Sequence, residues 1–458
     1  MSKSGIDTIA AVSTPAGRAA ISIIRLSGPD SFSITEKIFV KGGKKAFPLP
    51  YTAYYGSIID PEDHSLVDKV VVNTFPGPAS YTGEDVVEIS CHGNPVLVSR
   101  LLSLIFKVGA RQAEAGEFTR RAFINGKMDL LEVEAISQLL AAESVSQTRL
   151  ALNQLQGLPS KQLSILRDNL VNNLVELEAG LNFPEDAIEA IDEHRLAADL
   201  KEARRKLENF AESARNGNMI CGGLKIALLG CPNSGKSSIM NCLLGKDRAI
   251  VTEIAGTTRD TLEESFQLGS VPVKLIDTAG LRSPGDKIEA MGIERTRRAA
   301  QEAFALIGVF DGSKPETVED RKVLQQLKAD SKPFICVRNK IDLPQKLNPE
   351  FFAGVNGVGV STLNETGVDS LKEEINILLQ QQGFADFESM VLLGAQQQNA
   401  LNKALSALKR ASEGVGNIYQ DMLAIEMEEA VRELGRITGE TVDFNTLDLI
   451  FERFCIGK

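Results

Sequence analysis

Lys236 and Ser237 close the run Gly230-Cys-Pro-Asn-Ser-Gly-Lys-Ser-Ser238, which directly follows the apolar stretch Leu224–Leu229. A strand, a glycine loop and a helix start make a phosphate cradle. Gly230 and Gly235 let the backbone approach a phosphate closely. The amides of Asn233, Ser234, Gly235, Lys236 and Ser237, with Ser238 next along the turn, can then point inward as an anion nest at a helix N-terminus. Lys236 reaches the β- and γ-phosphates as a point charge, and the Ser237 hydroxyl ligates Mg²⁺. Two companions follow in order. Asp277-Thr-Ala-Gly280 comes after an apolar strand over residues 273–276; Asp277 can hold Mg²⁺ through water and the Gly280 amide can sense the γ-phosphate. Asn339-Lys340-Ile-Asp342 comes after another, over residues 333–337. The Asp342 carboxylate can accept two hydrogen bonds from N1–H and N2–H₂ of guanine, a donor pair that adenine lacks. The set therefore selects GTP. Ser361-Thr362-Leu363 stands where GTPases usually carry Ser-Ala-Lys; the Thr362 amide can serve the base, but the stacking lysine is missing.

Between the loop and Asp277 lies Thr252-Glu-Ile-Ala-Gly-Thr-Thr-Arg-Asp260. A threonine here closes over Mg²⁺ when the γ-phosphate is present; Thr258 is the candidate, with Thr257 its neighbour. Leu281 follows Gly280, where Ras-like enzymes place a glutamine that orients the attacking water. Leucine cannot do this, so hydrolysis needs another water-positioning group and another positive charge. Asn233 points to a monovalent cation held between its side chain and backbone carbonyls of residues 252–257. Such an ion would sit where an arginine finger otherwise puts its charge.

These loops need a sheet to hold them. Residues 216–383 alternate strand and helix, as a parallel sheet with crossovers requires. Residues 1–118 mix β-type runs (19–26, Leu66–Phe75, 86–91) with a helix over Pro95–Lys107. Helical periodicity fills 119–215, in the stretches 130–144, 162–181 and 197–214, and returns over 390–453. A GTPase domain begins and ends at neighbouring points, so it can sit inside another domain. The expectation is a multidomain α/β plus α chain: an N-terminal α+β domain (1–118), a discontinuous helical domain (119–215 and 384–458), and an inserted Ras-like P-loop GTPase domain (216–383). Asn216-Gly-Asn218 and Gln380-Gln-Gln-Gly383 read as the two linkers.

The length, 458 residues, fits about three domains. There is no run of about 18 apolar residues to span a membrane, and the first residues lack the apolar region of a signal peptide. The six cysteines form no CxxC pair, which fits a reducing cytoplasm. A net charge of −11 argues against a phosphate-gripping protein, so any RNA is held by a local patch or by a partner. Arg111, Arg120, Arg121 and Lys127 form either such a patch or a solvated basic face. The sequence closes on Phe451-Glu-Arg-Phe-Cys-Ile-Gly-Lys458. A terminal Cys-x-x-x suggests prenylation, but a final lysine does not fit it; by spacing alone Cys455 reads as a small core cysteine.

Together, the Cys-Ile-Gly-Lys ending, Gly256-Thr-Thr-Arg-Asp260 and the mid-chain GTPase segment resemble the MnmE (TrmE) family of tRNA-modification GTPases. The first third agrees, with Asp7-Thr-Ile-Ala, Gly17-Arg, Ile24-Arg-Leu-Ser-Gly28, Tyr81-Thr-Gly-Glu-Asp85, Cys91-His-Gly93 and Gly116-Glu-Phe-Thr-Arg-Arg-Ala-Phe123. The resemblance implies a homodimer. It also implies an FAD-dependent partner, MnmG, in a heterotetramer that adds an aminomethyl or carboxymethylaminomethyl group to C5 of the wobble uridine (U34) of certain tRNAs. A 5,10-methylene- or formyl-tetrahydrofolate would supply the carbon and glycine or ammonium the amine, with tRNA met directly or through the partner. Arg25, Glu88, Lys127 and Lys458 match the family's folate-contacting residues, and Cys455 its functional cysteine. Asn233 and the carbonyls of Thr252, Ile254 and Thr257 match its K⁺ site. Glu289 matches the residue that orients the attacking water. Read without the resemblance, Arg25 and Glu88 would be a strand-end salt bridge. The rival reading is a ribosome-assembly or regulatory GTPase. Those usually carry a basic RNA-binding module after the GTPase segment, whereas here that region is acidic and helical, with Glu426, Glu428 and Glu429.

Overall fold

The computed structural model describes residues 7–41, 51–142, 144–182, 192–245, 263–268, 271–277, 300–355, 357–384, 390–441, 451, 454 and 457. The chain divides into two compact units, one of residues 1–137, 160–200 and 396–458, the other of residues 138–159 and 201–395.

The first unit opens with β1 (Ile9–Val12), β2 (Ile21–Ser27), α1 (Ser31–Ile38), β3 (Phe39–Val40), β4 (Ala53–Ile59), β5 (Leu66–Phe75), β6 (Val86–His92), α2 (Pro95–Lys107), β7 (Arg111–Gln112) and α3 (Glu117–Ile124). Its described strands form a sheet in the order β3-β4-β5-β6-β2-β1-β7. Alternation decides which face is dry. Ala10, Ile24, Leu26, Val70, Val72, Val87 and Ile89 point to one side and bury against Ile34 and Ile38 of α1 and Leu101, Leu104 and Ile105 of α2. Spacing at i, i+3 and i+4 gives α2 that apolar stripe. Its start is fixed by Pro95 in the first turn and by Asn94, whose side chain accepts from the Val96 amide at 3.0 Å. On the opposite face, at the β1 end, Ile9 and Ala11 meet Ala113, Phe118 and Tyr81.

The helices α4 (Leu130–Ala141), α5 (Val145–Leu155), α6 (Leu158–Asn182) and α7 (Glu193–Gly222) follow. The second unit then continues with β8 (Leu224–Leu229), α8 (Lys236–Leu244), β9 (Glu263–Leu268), β10 (Val271–Asp277), β11 (Ala305–Asp311), α9 (Val318–Ala329), β12 (Phe334–Asn339), β13 (Gly357–Val360) and α10 (Val368–Leu379). Its described strands pair in the order β13-β12-β11-β8-β10-β9. All pairs are parallel except β9 with β10, which is the arrangement of a Ras-like P-loop domain. Helices α11 (Ala395–Gly414) and α12 (Gln420–Thr438) come later in the chain, each with an alanine- and leucine-rich buried stripe.

Asn216-Gly-Asn218, read above as a linker, lies inside α7. Two tertiary contacts override the local turn signal. A Cβ on Gly217 would lie 2.2 Å from the Val391 carbonyl oxygen, so the glycine permits close approach of two backbones. The Asn218 side chain accepts from the Leu393 amide at 3.1 Å and donates to its carbonyl at 2.9 Å. Gln154 of α5 holds Leu392 in the same way, at 2.7 and 2.9 Å. Leu150 and Ala151 of α5, Ile220 of α7, Met390 and Leu392 join the sheet's own core. The other expected linker, Gln380-Gln-Gln-Gly383, falls in a π-helical turn over Gln380–Phe384 that is broken at Gly383, whose φ is +87°.

Candidate functional sites

In the second unit the phosphate loop leaves β8 and enters α8. Gly230 and Gly235 are packed where no side chain fits: a Cβ would lie 2.3 Å from the Val309 carbonyl oxygen and 2.0 Å from Asn339 Nδ2. Asn233, with φ +63°, takes the left-handed conformation that asparagine tolerates better than most residues. Gly235, φ +98°, precedes a helix that has no capping side chain, the kind of helix start at which an anion can take a cap's place. Ser234 Oγ is buried with no hydrogen-bond partner among the described residues. Lys236 Nζ donates to the Gly230 and Cys231 carbonyls, both at 2.8 Å, so the ammonium is folded back across the loop. Crowded glycines, an orphaned hydroxyl and a poised lysine fit a nucleotide's phosphates.

The base-reading loop is tied to this cradle. Asn339 Nδ2 donates to the Ser234 carbonyl at 2.9 Å. Lys340 Nζ donates to the Asn233 carbonyl at 3.1 Å and to Asp311 Oδ2 at 2.7 Å. Burial pushes the Asp311 carboxyl up, but hydrogen bonds from Lys340 and Ser313 outweigh it and hold the group below its usual value. Asp342 Oδ1 accepts from Ser361 Oγ at 2.6 Å, which aims the carboxylate before a base arrives. The Thr362 carbonyl accepts from Cys242 Sγ at 3.7 Å. The structure thus ties Asn233 and Ser234 of the phosphate loop to Asn339 and Lys340, packs Gly235 against Asn339, folds Lys236 across the loop, and separately pairs Asp342 with Ser361 and Thr362 with Cys242 of α8. Sequence reading missed Asp311, whose signal was its place at the end of a buried strand, before a polar turn. The Asp277 backbone closes β10, beside Leu228. The Asp277 side chain, Thr252, Ile254, Thr257, Thr258, Gly280 and Glu289 lie outside the described residues, as do Cys455 and Lys458.

In the first unit Arg25 and Glu88 are register partners on β2 and β6. Arg25 Nε and Nη2 both donate to Glu88 Oε1, at 3.0 and 2.8 Å. The guanidinium also lies over the Tyr81 and Phe118 rings, 5.1 and 5.7 Å from their centroids. Lys127 Nζ donates to the Pro78 carbonyl at 3.0 Å, on the loop that carries Tyr81. The last described residue meets the end of β1. Ser13 Oγ donates to the Gly457 carbonyl at 3.0 Å. Gly457, φ +101°, has no room for a side chain, because a Cβ would lie 2.0 Å from the Val12 carbonyl oxygen. Gly116 is similarly pressed on Phe451, with 2.7 Å from an added Cβ to its carbonyl oxygen.

The basic patch is corrected by the structure. Arg121 is buried and bonds Asp7, Glu84 and Glu117, and Arg111 bonds Asp7 and Glu117. Three carboxylates neutralise two guanidiniums, so these arginines are no RNA grip. A Glu117 hydrogen bond heads the causes that raise the Arg111 pKa, while the Arg111 hydrogen bond heads those that lower Asp7. Burial pushes the thiols of Cys91, Cys231 and Cys336 up to about 11, so none of the three is a thiolate at neutral pH.

Residues 8–127 match the family described as the GTP-binding protein TrmE N-terminus, and residues 130–455 match the MnmE helical domain. The chain is 40% identical over 457 residues to a tRNA modification GTPase MnmE of Natranaerobius thermophilus, covering 99% of each. It is 39% identical to the protein of that name from Lactiplantibacillus plantarum, over 99% of this chain and 98% of that one. Among solved structures it is similar to the G domain of the T. maritima FeoB iron transporter, at 27% identity, with 34% of this chain and 99% of that one covered and a TM-score of 0.27. Era from Aquifex aeolicus, bound to GDP and aluminium fluoride, is 24% identical over 40% of this chain and 66% of that one, with a TM-score of 0.28. The chain belongs to the MnmE (TrmE) family of tRNA modification GTPases.

Proposed function

We propose that this chain hydrolyses GTP to GDP and phosphate in the cytoplasm, and that it does so within modification of the wobble uridine of certain tRNAs. Its partner in that reaction is an FAD-dependent MnmG protein, and a tetrahydrofolate derivative supplies the carbon. The observation that carries the reading is the seat of Gly457 on Val12 and Ser13. Ala11, next in β1, is the register partner of Arg25. Gly457 belongs to the Cys-Ile-Gly-Lys segment, and Cys455 and Lys458 lie within two residues of it in the sequence.

In the nucleotide site, Lys236 swings from the loop carbonyls to the β- and γ-phosphates, the first-turn amides of α8 take the oxygens, and Asp342 fixes guanine. Mg²⁺ held by Ser237 and Thr258, and K⁺ held by Asn233 with the carbonyls of Thr252, Ile254 and Thr257, would supply positive charge to the phosphates. Glu289 orients the water. In the folate site, Glu88 accepts from the donor edge of the pterin, Arg25 holds that carboxylate, and Lys127 and Lys458 meet the glutamate tail. Hydrolysis proceeds in a homodimer whose GTPase domains meet across the pair.

The deciding measurement is mass analysis of wobble uridines after deletion, with rescue by wild type and by Cys455→Ser. Unmodified uridine in the deletion, restored by wild type alone, is expected. Normal nucleosides in the deletion would sink the reading, and full rescue by Cys455→Ser would remove the cysteine from the chemistry. Replacing K⁺ by Na⁺ is expected to abolish rapid hydrolysis; equal rates in both salts would remove the cation.

A further inference from the structure

The open face of the seven-stranded sheet carries a row of side chains that register sets side by side: Ala11, Arg25, Glu88, Asn73 and Ala53, on β1, β2, β6, β5 and β4. Three polar residues thus stand between two alanines. The neighbouring row on one side is Ile23, Ser90, Val71 and Tyr55, and on the other Ile9, Ser27, Val86 and Phe75. Tyr81 and Phe118 cover the Arg25 end of the polar row. At the Asn73 end, among the described residues, Val71 and Tyr55 are 37% and 66% exposed. Both Arg25 bonds fall on Glu88 Oε1, which leaves Oε2 for another donor.

We infer that Asn73 is a further ligand-contacting residue, and that with Glu88 it reads the polar edge of a flat, nitrogen-rich bicyclic ring laid on this face. The inference rests on the folate reading above and deepens it by naming how the pterin is recognised. Directly opposed side chains on adjacent strands have Cβ atoms about 4.5–5.5 Å apart. A carboxylate only accepts, whereas an asparagine amide both donates and accepts. Side by side they form an acceptor–acceptor–donor edge. A pterin offers the complement along one side: an amino group and a ring N–H that donate, and a ring carbonyl that accepts. The flanking Val71 and Phe75 rows give the ring's faces apolar contact. Glu88 alone would hold any amidine-like donor pair; Asn73 adds the demand for an acceptor beside it, and so gives specificity for the oxo-substituted ring.

The test uses purified full-length protein and 5-formyltetrahydrofolate, with binding followed by calorimetry. Asn73→Ala is expected to weaken binding about three- to tenfold, the range of one neutral hydrogen bond. Asn73→Asp, which keeps the shape but loses the donor, should weaken it at least as much. The loss should persist with 6-methyltetrahydropterin, which has no benzoylglutamate tail, and GTP affinity should not move. If Glu88→Ala weakens folate binding while both Asn73 variants bind as wild type, the inference falls and the folate reading stands. Loss confined to the full folate would place Asn73 against the tail and overturn the pterin assignment. Unchanged binding in Glu88→Ala would fail the folate reading itself.

Discussion

The nucleotide loops and the Arg25–Glu88 row hold their groups in different ways. Around β8 and β12, each nucleotide-facing group sits in a loop just past a strand end, and much of the work falls to backbone amides and carbonyls. In the seven-stranded sheet, Arg25, Glu88 and Asn73 sit mid-strand on three different strands and become neighbours only through register. A backbone site demands glycines and short polar residues in contiguous order. A register site demands only that residues far apart in sequence be polar on one face. The first should tolerate side-chain exchange outside its glycines and its few charged groups; the second should fail wherever its ion pairs fail.

The largest expected effect tests that second clause. Arg121 ties Asp7, Glu84 and Glu117 together from a buried position. Arg121→Leu leaves the carboxylates without their buried cation, which costs about 3–5 kcal/mol. Urea unfolding of the full chain should lose that much in the transition that carries folate binding, while GTP hydrolysis keeps its rate. A parallel loss of hydrolysis would mean that the two regions are not independent.

Next comes the base-reading carboxylate. Asp342→Asn turns an acceptor pair into a mixed donor and acceptor. Loss of two charge-assisted bonds amounts to about 3 kcal/mol, or roughly a hundredfold in GTP affinity. Xanthosine triphosphate, which presents an acceptor where guanine donates, should gain what GTP loses. Competition binding with both nucleotides checks it, and an unchanged preference would move guanine recognition elsewhere. Ser361 should still pair with the replaced side chain, so the fold is expected to hold.

That contrast also explains what the sequence discloses. The phosphate loop, Asn339-Lys340-Ile-Asp342 and the α2 start at Asn94-Pro95 are local, because the groups that need each other are within a few residues. Asn216-Gly-Asn218 misleads for the opposite reason. Its glycine answers the Val391 backbone and its second asparagine answers Leu393, neither of which a local window contains. Arg111 and Arg121 read as a basic face because Asp7, Glu84 and Glu117 are distant or interleaved; only folding shows the sum to be near neutral. Asp311 was silent because an aspartate at a strand end is common, and its importance lies in Lys340.

Acid should separate the two regions more gently. Arg111 hydrogen bonding is the leading cause holding Asp7 below its usual 3.8. For Glu117, burial is the largest influence and raises the pKa, but the Arg111 and Arg121 bonds outweigh it and leave it below 4.5. Carboxylates with lowered folded-state values add stability that is complete above their unfolded values and is lost as pH falls through the folded ones. The seven-stranded region should therefore weaken below about pH 4, and Arg121→Leu should flatten that slope. Thermal melts between pH 3 and 6 measure it, and an unaltered slope in the variant would detach these carboxylates from the acid response.

The smallest effect concerns the part of the nucleotide unit that does depend on distant side chains. Gln154 and Asn218 each give one donor and one acceptor to consecutive residues, Leu392 and Leu393, of the segment before α11. Gln154 and Leu392 are each 1% exposed, so water cannot replace the bonds. Gln154→Leu removes both partners at once and leaves a buried amide and carbonyl unpaired, which costs about 2 kcal/mol. Asn218 is only partly buried, and Asn218→Leu should cost about half of that. Amide exchange should quicken at Leu392 in the first variant and at Leu393 in the second, with GTP affinity unchanged in both. If either variant instead weakened GTP binding, the loops past β8 and β12 would depend on this distant clamp, and the division between backbone-built and side-chain-built sites would no longer hold for the nucleotide unit.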